Sequence, residues 1–209
     1  MSIALLTFDV FGTILDWRRG LREALGSTAV SDADFDRIVD RQGELEREPF
    51  RPYAEIVSES LVNVLGVEAE RADEIAAGAG NWPLFADSAE ALRRLRAIAP
   101  CVATTNSDLV HGTQVRAQLG FALDGWICAE VVRAYKPDPL IWQAASRALG
   151  VPCGRDWWHV SAYADYDLAT ARSLGLTCVL VKRPHHRAGP ADVVVSDLLE
   201  LVPHVMEPS

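Results

Sequence analysis

From Trp82 onward, short apolar runs alternate with helical stretches along this 209-residue chain. The apolar runs are Cys101–Thr105, Trp126–Ala129, Trp157–Ser161, Thr177–Val181 and Val193–Val195. Helical spacing appears at Ser88–Ile98, Val110–Leu119, Pro139–Leu149, Leu168–Leu174 and Asp197–Val202. Short apolar runs read as strands buried on both faces, and strands that alternate with helices form a parallel sheet with helices on both sides. One more such run, Ile3–Phe8, stands alone near the N-terminus. Between it and the others, from Trp17 to about Asn81, strand runs are absent. Apolar residues there fall at helical spacing: Leu21 and Leu25; Phe35, Ile38 and Val39; Ile56, Leu61, Val64 and Leu65; then Ile75. Pro49 and Pro52 break the pattern between the second and third of these helices. The expected architecture is α/β. Residues 1–16 and 83–209 form the parallel-sheet core, and residues 17–82 form an all-helical unit inserted after the first strand. The tail beyond Pro203 is expected to fray.

A net charge of -9 offers no general basic surface for nucleic acid or a membrane, so neither is an expected partner. No apolar run approaches the roughly 20 residues of a membrane span. Ile3–Phe8 is too short and lacks the basic flank of a signal peptide. Cys101, Cys128, Cys153 and Cys178 have no metal-ligand rhythm, and three of them (Cys101, Cys128 and Cys178) lie in or beside apolar runs. Reduced thiols and a cytoplasmic compartment are the expectation.

Chemistry in open α/β sheets gathers beyond the carboxyl ends of the strands. Four such ends carry polar residues. The first delivers Asp9 to a turn just before Gly12, where a carboxylate is a candidate covalent nucleophile or else bonds the turn it starts. The second is Thr104-Thr105-Asn106-Ser107-Asp108, able to hold an anion beside Asp9 or to cap the next helix. The third is Ala134-Tyr135-Lys136-Pro137-Asp138-Pro139, whose prolines fix the approach to a helix and so aim Lys136. The fourth, Ser161-Ala162-Tyr163-Ala164-Asp165-Tyr166-Asp167, brings acids that serve a site or start a helix.

In this order (Asp9, Thr105, Lys136, Asp167) the chain resembles the haloacid dehalogenase superfamily over essentially its whole length. That resemblance implies a Rossmann-like core with a helical cap after the first strand. Within the superfamily, Asp9-Val10-Phe11-Gly12-Thr13 and the run Phe11 to Arg18 look like the type II L-2-haloacid dehalogenases. Such enzymes convert L-2-haloalkanoic acids to D-2-hydroxy acids through an aspartyl ester. The resemblance then implies Asp9 as nucleophile, Thr13 and Thr105 as hydrogen-bond donors to it, Lys136 as its counter-ion, and Asp167 as an anchor for Lys136 or water. Arg41 in Asp40-Arg41-Gln42 would meet the substrate carboxylate, with Arg18, Arg19 and Arg51 as substitutes, and halide would leave near Arg41 and Asn106. Phe11 and Tyr166, with Trp17, would line the apolar wall.

Superfamily phosphatases place a second Asp two residues after the nucleophile and hold Mg²⁺ with an acid after the fourth motif strand. Here those positions read Phe11 and Ala162. Halide leaves as a stable anion and needs neither, so no metal and no cofactor are expected. A small carboxylate is the expected ligand and a homodimer a candidate assembly. A magnesium-dependent phosphatase, and a hydrolase or ligand-binding relative with another substrate, remain the alternatives. One departure bears on them: the dehalogenase pattern Ser-x-Asn-x-x-Asp has Ala164 at its Asn, with Ser161 one residue too far away. Ser161, Tyr163 or Asp165 would then take over the placing of water.

Overall fold

The computed structural model describes residues 3–26 and 30–207. Six strands, β1 (Leu5–Phe8), β2 (Cys101–Thr105), β3 (Gly125–Cys128), β4 (Trp157–Ser161), β5 (Thr177–Val181) and β6 (Val193–Val195), form one sheet. Their order is β3-β2-β1-β4-β5-β6 and every pairing is parallel. The chain winds outward from β1 through β2 to β3, then crosses to the other side of β1 for β4. This reversal opens a crevice at the carboxyl end of β1, the place where such sheets take ligands.

Four helices form the segment inserted after β1: α1 (Trp17–Leu25), α2 (Asp32–Leu45), α3 (Tyr53–Leu65) and α4 (Ala69–Ala77). A single 3-10 turn, Ala79–Asn81, leads back to the core. The remaining helices are α5 (Ser88–Arg96), α6 (Leu109–Leu119), α7 (Ala129–Val132), α8 (Leu140–Leu149), α9 (Ala169–Ser173) and α10 (Leu198–Met206). Side chains of β1, β2, β4 and β5 face two apolar clusters. One includes Phe8, Leu92, Leu95, Leu198 and Leu201; the other includes Leu5, Trp142, Trp157 and Leu168. The inserted helices gather a third, centred on Phe35, Ile38, Ile56, Leu61 and Ile75.

Helix α10 corrects the expectation for the tail. It runs through Pro203 to Met206, because Leu201 and Val205 are buried on its inner face and outweigh the loss of one backbone donor. Strand β3 starts one residue earlier than its apolar run, at Gly125, where a larger residue would crowd Val102 of β2.

Helices and core are tied by hydrogen bonds at the start of α3. Pro52 precedes that helix and offers no capping side chain. The Asp108 carboxylate, from the loop after β2, accepts instead from the backbone N–H groups of Tyr53 and Ala54, each at 2.9 Å. A negative group is favoured at that helix end. The Tyr135 hydroxyl donates to the Arg51 carbonyl nearby.

Candidate active site

A cavity of about 650 Å³ lies between the sheet and the inserted helices. Its floor is Asp9, just beyond β1 and 4% exposed. Both carboxylate oxygens are held. Lys136 Nζ donates to Oδ1 at 2.8 Å, and Thr13 Oγ1 donates to Oδ2 at 2.7 Å. The Thr13 oxygen accepts from the Ala162 N–H at 2.9 Å, which directs its own hydrogen toward Asp9. Buried Arg183 steadies this turn by donating to the Thr13 carbonyl while paired with Asp87. Gly12, at φ +92°, completes it; a Cβ there would lie 2.2 Å from the Tyr163 hydroxyl.

Lys136 also donates to Asp167 Oδ2 at 2.7 Å, so one ammonium bridges two carboxylates. The other Asp167 oxygen faces His159 Nε2 at 3.0 Å. Asp167 accepts from that nitrogen, so Nε2 carries a hydrogen. Trp157 Nε1 is only a donor, and it donates to Thr7 Oγ1 at 2.8 Å. The Thr7 hydroxyl is also hydrogen-bonded to His159 Nδ1 at 2.9 Å, which holds the ring in place. All five side chains of this row are buried.

Charge is unevenly shared along it. Burial works against the Asp167 carboxylate, but Lys136 and His159 overcome this and hold it below the ordinary range. Burial acts on Lys136 in the opposite sense and is outweighed by the two carboxylates, which raise it. Asp9 is left raised: its burial and the nearby Asp167 charge exceed the help from Lys136 and Thr13. One ammonium cannot fully compensate two buried anions, and Asp9 carries the deficit.

The structure brings Asp9, Thr13, Lys136 and Asp167 together. Phe11, Tyr166 and Asn106 also line the cavity. Phe11 packs against Tyr53 at 5.7 Å between ring centres and edge-on against Trp82 at 5.9 Å. Two expectations need correction. Thr105 lines the cavity, but its hydroxyl donates to Ser107 Oγ rather than to Asp9. Arg41 does not line it. Its guanidinium is turned outward on α2 and engaged by Glu44, Glu59 and Asn63. Nor do its substitutes line the cavity: Arg18 pairs with Asp32 and Asp36, Arg19 with Glu23, and Arg51 with Glu59. The arginines that line the cavity are Arg47, which is exposed, and Arg187. Arg187 pairs with Asp165, whereas Arg47 has no acidic partner within 4.0 Å among the described residues.

The extra residue after β4 is taken up by a π-helical turn, Ala164–Leu168, closed by the Leu168 N–H on the Tyr163 carbonyl at 3.2 Å. Such wide turns insert one residue without ending a helix and recur at functional sites. Ser161 is consumed locally, accepting from the Tyr163 N–H, while Tyr163 and Asp165 line the cavity. Sequence reasoning passed over His159, Thr7, Glu46 and Arg47. A polar side chain inside a fully buried strand needs a partner, and that signal was available for Thr7 and His159. None was available for the other two, which are ordinary charges at the end of a cap helix.

Residues 3–175 match the haloacid dehalogenase-like hydrolases. The chain belongs to this family. It is 27% identical to an (S)-2-haloacid dehalogenase of Burkholderia cepacia, across 97% of this chain and 94% of that one. A solved L-2-haloacid dehalogenase superposes with a TM-score of 0.84 at 25% identity, covering 98% of this chain and 100% of the other. The enzyme of that type from Xanthobacter autotrophicus shares the fold at 18% identity, with a TM-score of 0.84 and full coverage of both chains. The chain is thus a hydrolase with the Rossmann-like fold of the haloacid dehalogenases. No described helix is long and apolar enough to cross a membrane.

Proposed function

We propose that this hydrolase removes halide from L-2-haloalkanoic acids, giving D-2-hydroxy acids through an ester on Asp9. The observation that carries the reading is the pairing of a fully held carboxylate with an apolar neighbour. Asp9 is oriented by Lys136 and Thr13, while Phe11, two residues on, presents a ring to the same cavity. A phosphate ester would need a proton for its leaving oxygen, and a phenyl ring cannot supply one. The relationship to the Burkholderia cepacia enzyme supports the same reading.

Asp9 attacks the carbon bearing the halogen from its rear, forming a C–O bond as the C–halogen bond breaks with its electron pair. Water then adds to the carbonyl carbon of the ester, releasing the hydroxy acid and restoring the carboxylate. Lys136 and Thr13 hold Asp9 in line for the first step, and the positive charge of Lys136 opposes its protonation. Asp167 and His159 position Lys136. Arg47 is assigned the substrate carboxylate, since it is the cavity-lining arginine without an acidic partner among the described residues.

Halide and phosphate release from a panel of 2-halo acids and phosphate monoesters, with and without EDTA, tests this directly. Halide release from L-2-chloropropionate that survives EDTA and yields D-lactate is expected. Phosphate release that depends on Mg²⁺, with no halide released, would replace this reading by the phosphatase one.

A further inference from the structure

Glu46 lies just past the end of α2, in the cap wall of the cavity. No Lys, Arg or His lies within 4.0 Å of its carboxylate among the described residues, and its partner is the Asn106 amide, 3.3 Å from both oxygens. The charged and titratable groups around it are Lys136, Arg47, Tyr53, Tyr135 and Tyr166. Neither cation offsets its burial, which pushes the Glu46 carboxyl up to about 8. A carboxyl raised in this way, with no cation in contact, has a hydrogen to give when it is protonated.

Asp9 attacks from the floor, so a rear displacement expels the leaving atom upward, toward the cap. Most hydrogen-bond donors there are already committed. Gln42 donates to Ser60, the Tyr53 hydroxyl to Gln42, and the Tyr135 hydroxyl to the Arg51 carbonyl. The Asn106 amide gives its hydrogens to the Lys136 carbonyl and to Glu46 itself. We propose that Glu46 is a specificity-determining residue that donates a hydrogen bond to the leaving atom, favouring 2-substituted carboxylates with a hard, strongly accepting leaving atom, fluoride ahead of chloride. The proposal rests on the dehalogenase reading above and names the substrates that reading would favour. As the new Asp9–carbon bond forms, the C–F electron pair passes to fluorine, which departs as fluoride from the Glu46 hydroxyl. Glu46 keeps its proton, and the later ester hydrolysis supplies the proton released with fluoride. Chloride, larger and a weaker acceptor, gains less from the same donor.

The test is the ratio of kcat/KM for L-2-fluoropropionate to that for L-2-chloropropionate, measured from pH 6 to 10. The ratio cancels pH effects common to both substrates. In the wild type it should be level at low pH and fall about tenfold as Glu46 ionises near pH 8, the scale of one hydrogen bond to a charged acceptor. Glu46→Leu should show the low ratio at every pH. Glu46→Gln keeps an N–H donor in the same shape, so its ratio should be higher than that of Glu46→Leu and cross pH 8 without a step. A wild type that releases chloride but no fluoride overturns the proposal. So does an unchanged ratio in Glu46→Leu, or, should that variant fail to fold, a step at pH 8 that persists in Glu46→Gln. A wild type that releases neither halide overturns the dehalogenase reading itself, and this proposal with it.

Discussion

Two groups of the cap wall, Glu46 and Arg47, follow the opposite principle to the floor of the cavity. On the floor, Asp9, Thr13, Lys136, Asp167, His159 and Thr7 are buried and every one is held by a directed hydrogen bond. In the cap wall, Glu46 meets a single amide and Arg47 no acid at all among the described residues. A floor with its hydrogen bonds already made needs no rearrangement when charge moves, as catalysis by preorganised groups requires. A wall with unpaired groups can instead give them to a ligand. On the proposed function, the nucleophile is therefore fixed by the sheet, and the choice of substrate by the helices above it.

The largest effect should come from the floor. Asp9→Asn removes the attacking group while keeping its shape, and turnover should fall by at least about a thousandfold. In water labelled with oxygen-18, a single turnover of excess wild-type enzyme should leave the product unlabelled and place the label in Asp9. Label in the first-turnover product would break the division of labour, because water would then attack carbon directly.

Lys136→Met should be the next most severe. Losing one charge-assisted contact to the reacting carboxylate should lower kcat by about a hundredfold. It should also change the pH profile with a definite sign. Asp9 acts only when ionised, so activity is lost as pH falls through its raised pKa. Lys136 opposes that rise; without it the acid limb moves to higher pH. A limb that stays in place, read from kcat against pH, would remove Lys136 from this role.

The smallest effect separates two arginines of the cap. Arg47→Ala should raise KM for 2-chloropropionate about tenfold with less change in kcat, as expected for one lost charged hydrogen bond. Arg41→Ala, whose guanidinium points away from the cavity, should leave both constants within about twofold. Initial-rate kinetics on both variants decide it, and the reverse ranking would return the carboxylate to Arg41.

The same contrast explains what the sequence made legible. Asp9, Lys136 and Asp167 follow apolar runs, and a parallel sheet sends every such end to one edge; knowing the strands was enough to gather them. Arg41 shows the limit. On a helix, a guanidinium reaches a cavity or turns away according to how that helix is rotated against its neighbours. Glu59 and Asn63 of α3 decide that rotation, from about twenty residues further along. Thr105 failed for a local reason, since a hydroxyl two residues on was nearer than the carboxylate. The π turn before α9 was visible only as a misfit in spacing, because nothing in its residues distinguishes a wide turn from an ordinary one.

The Asp108 carboxylate belongs to the core, and the two amide hydrogens it accepts belong to the helices above the cavity. Those hydrogens, on Tyr53 and Ala54, can trade with heavy water only when the start of α3 lets go. Their exchange rate is a clock for the parting of the two layers, running without substrate or label. If the clock runs faster than turnover, entry to the cavity is not what limits the enzyme. If the two rates coincide, the pace of the reaction is set by a carboxylate that never touches the substrate.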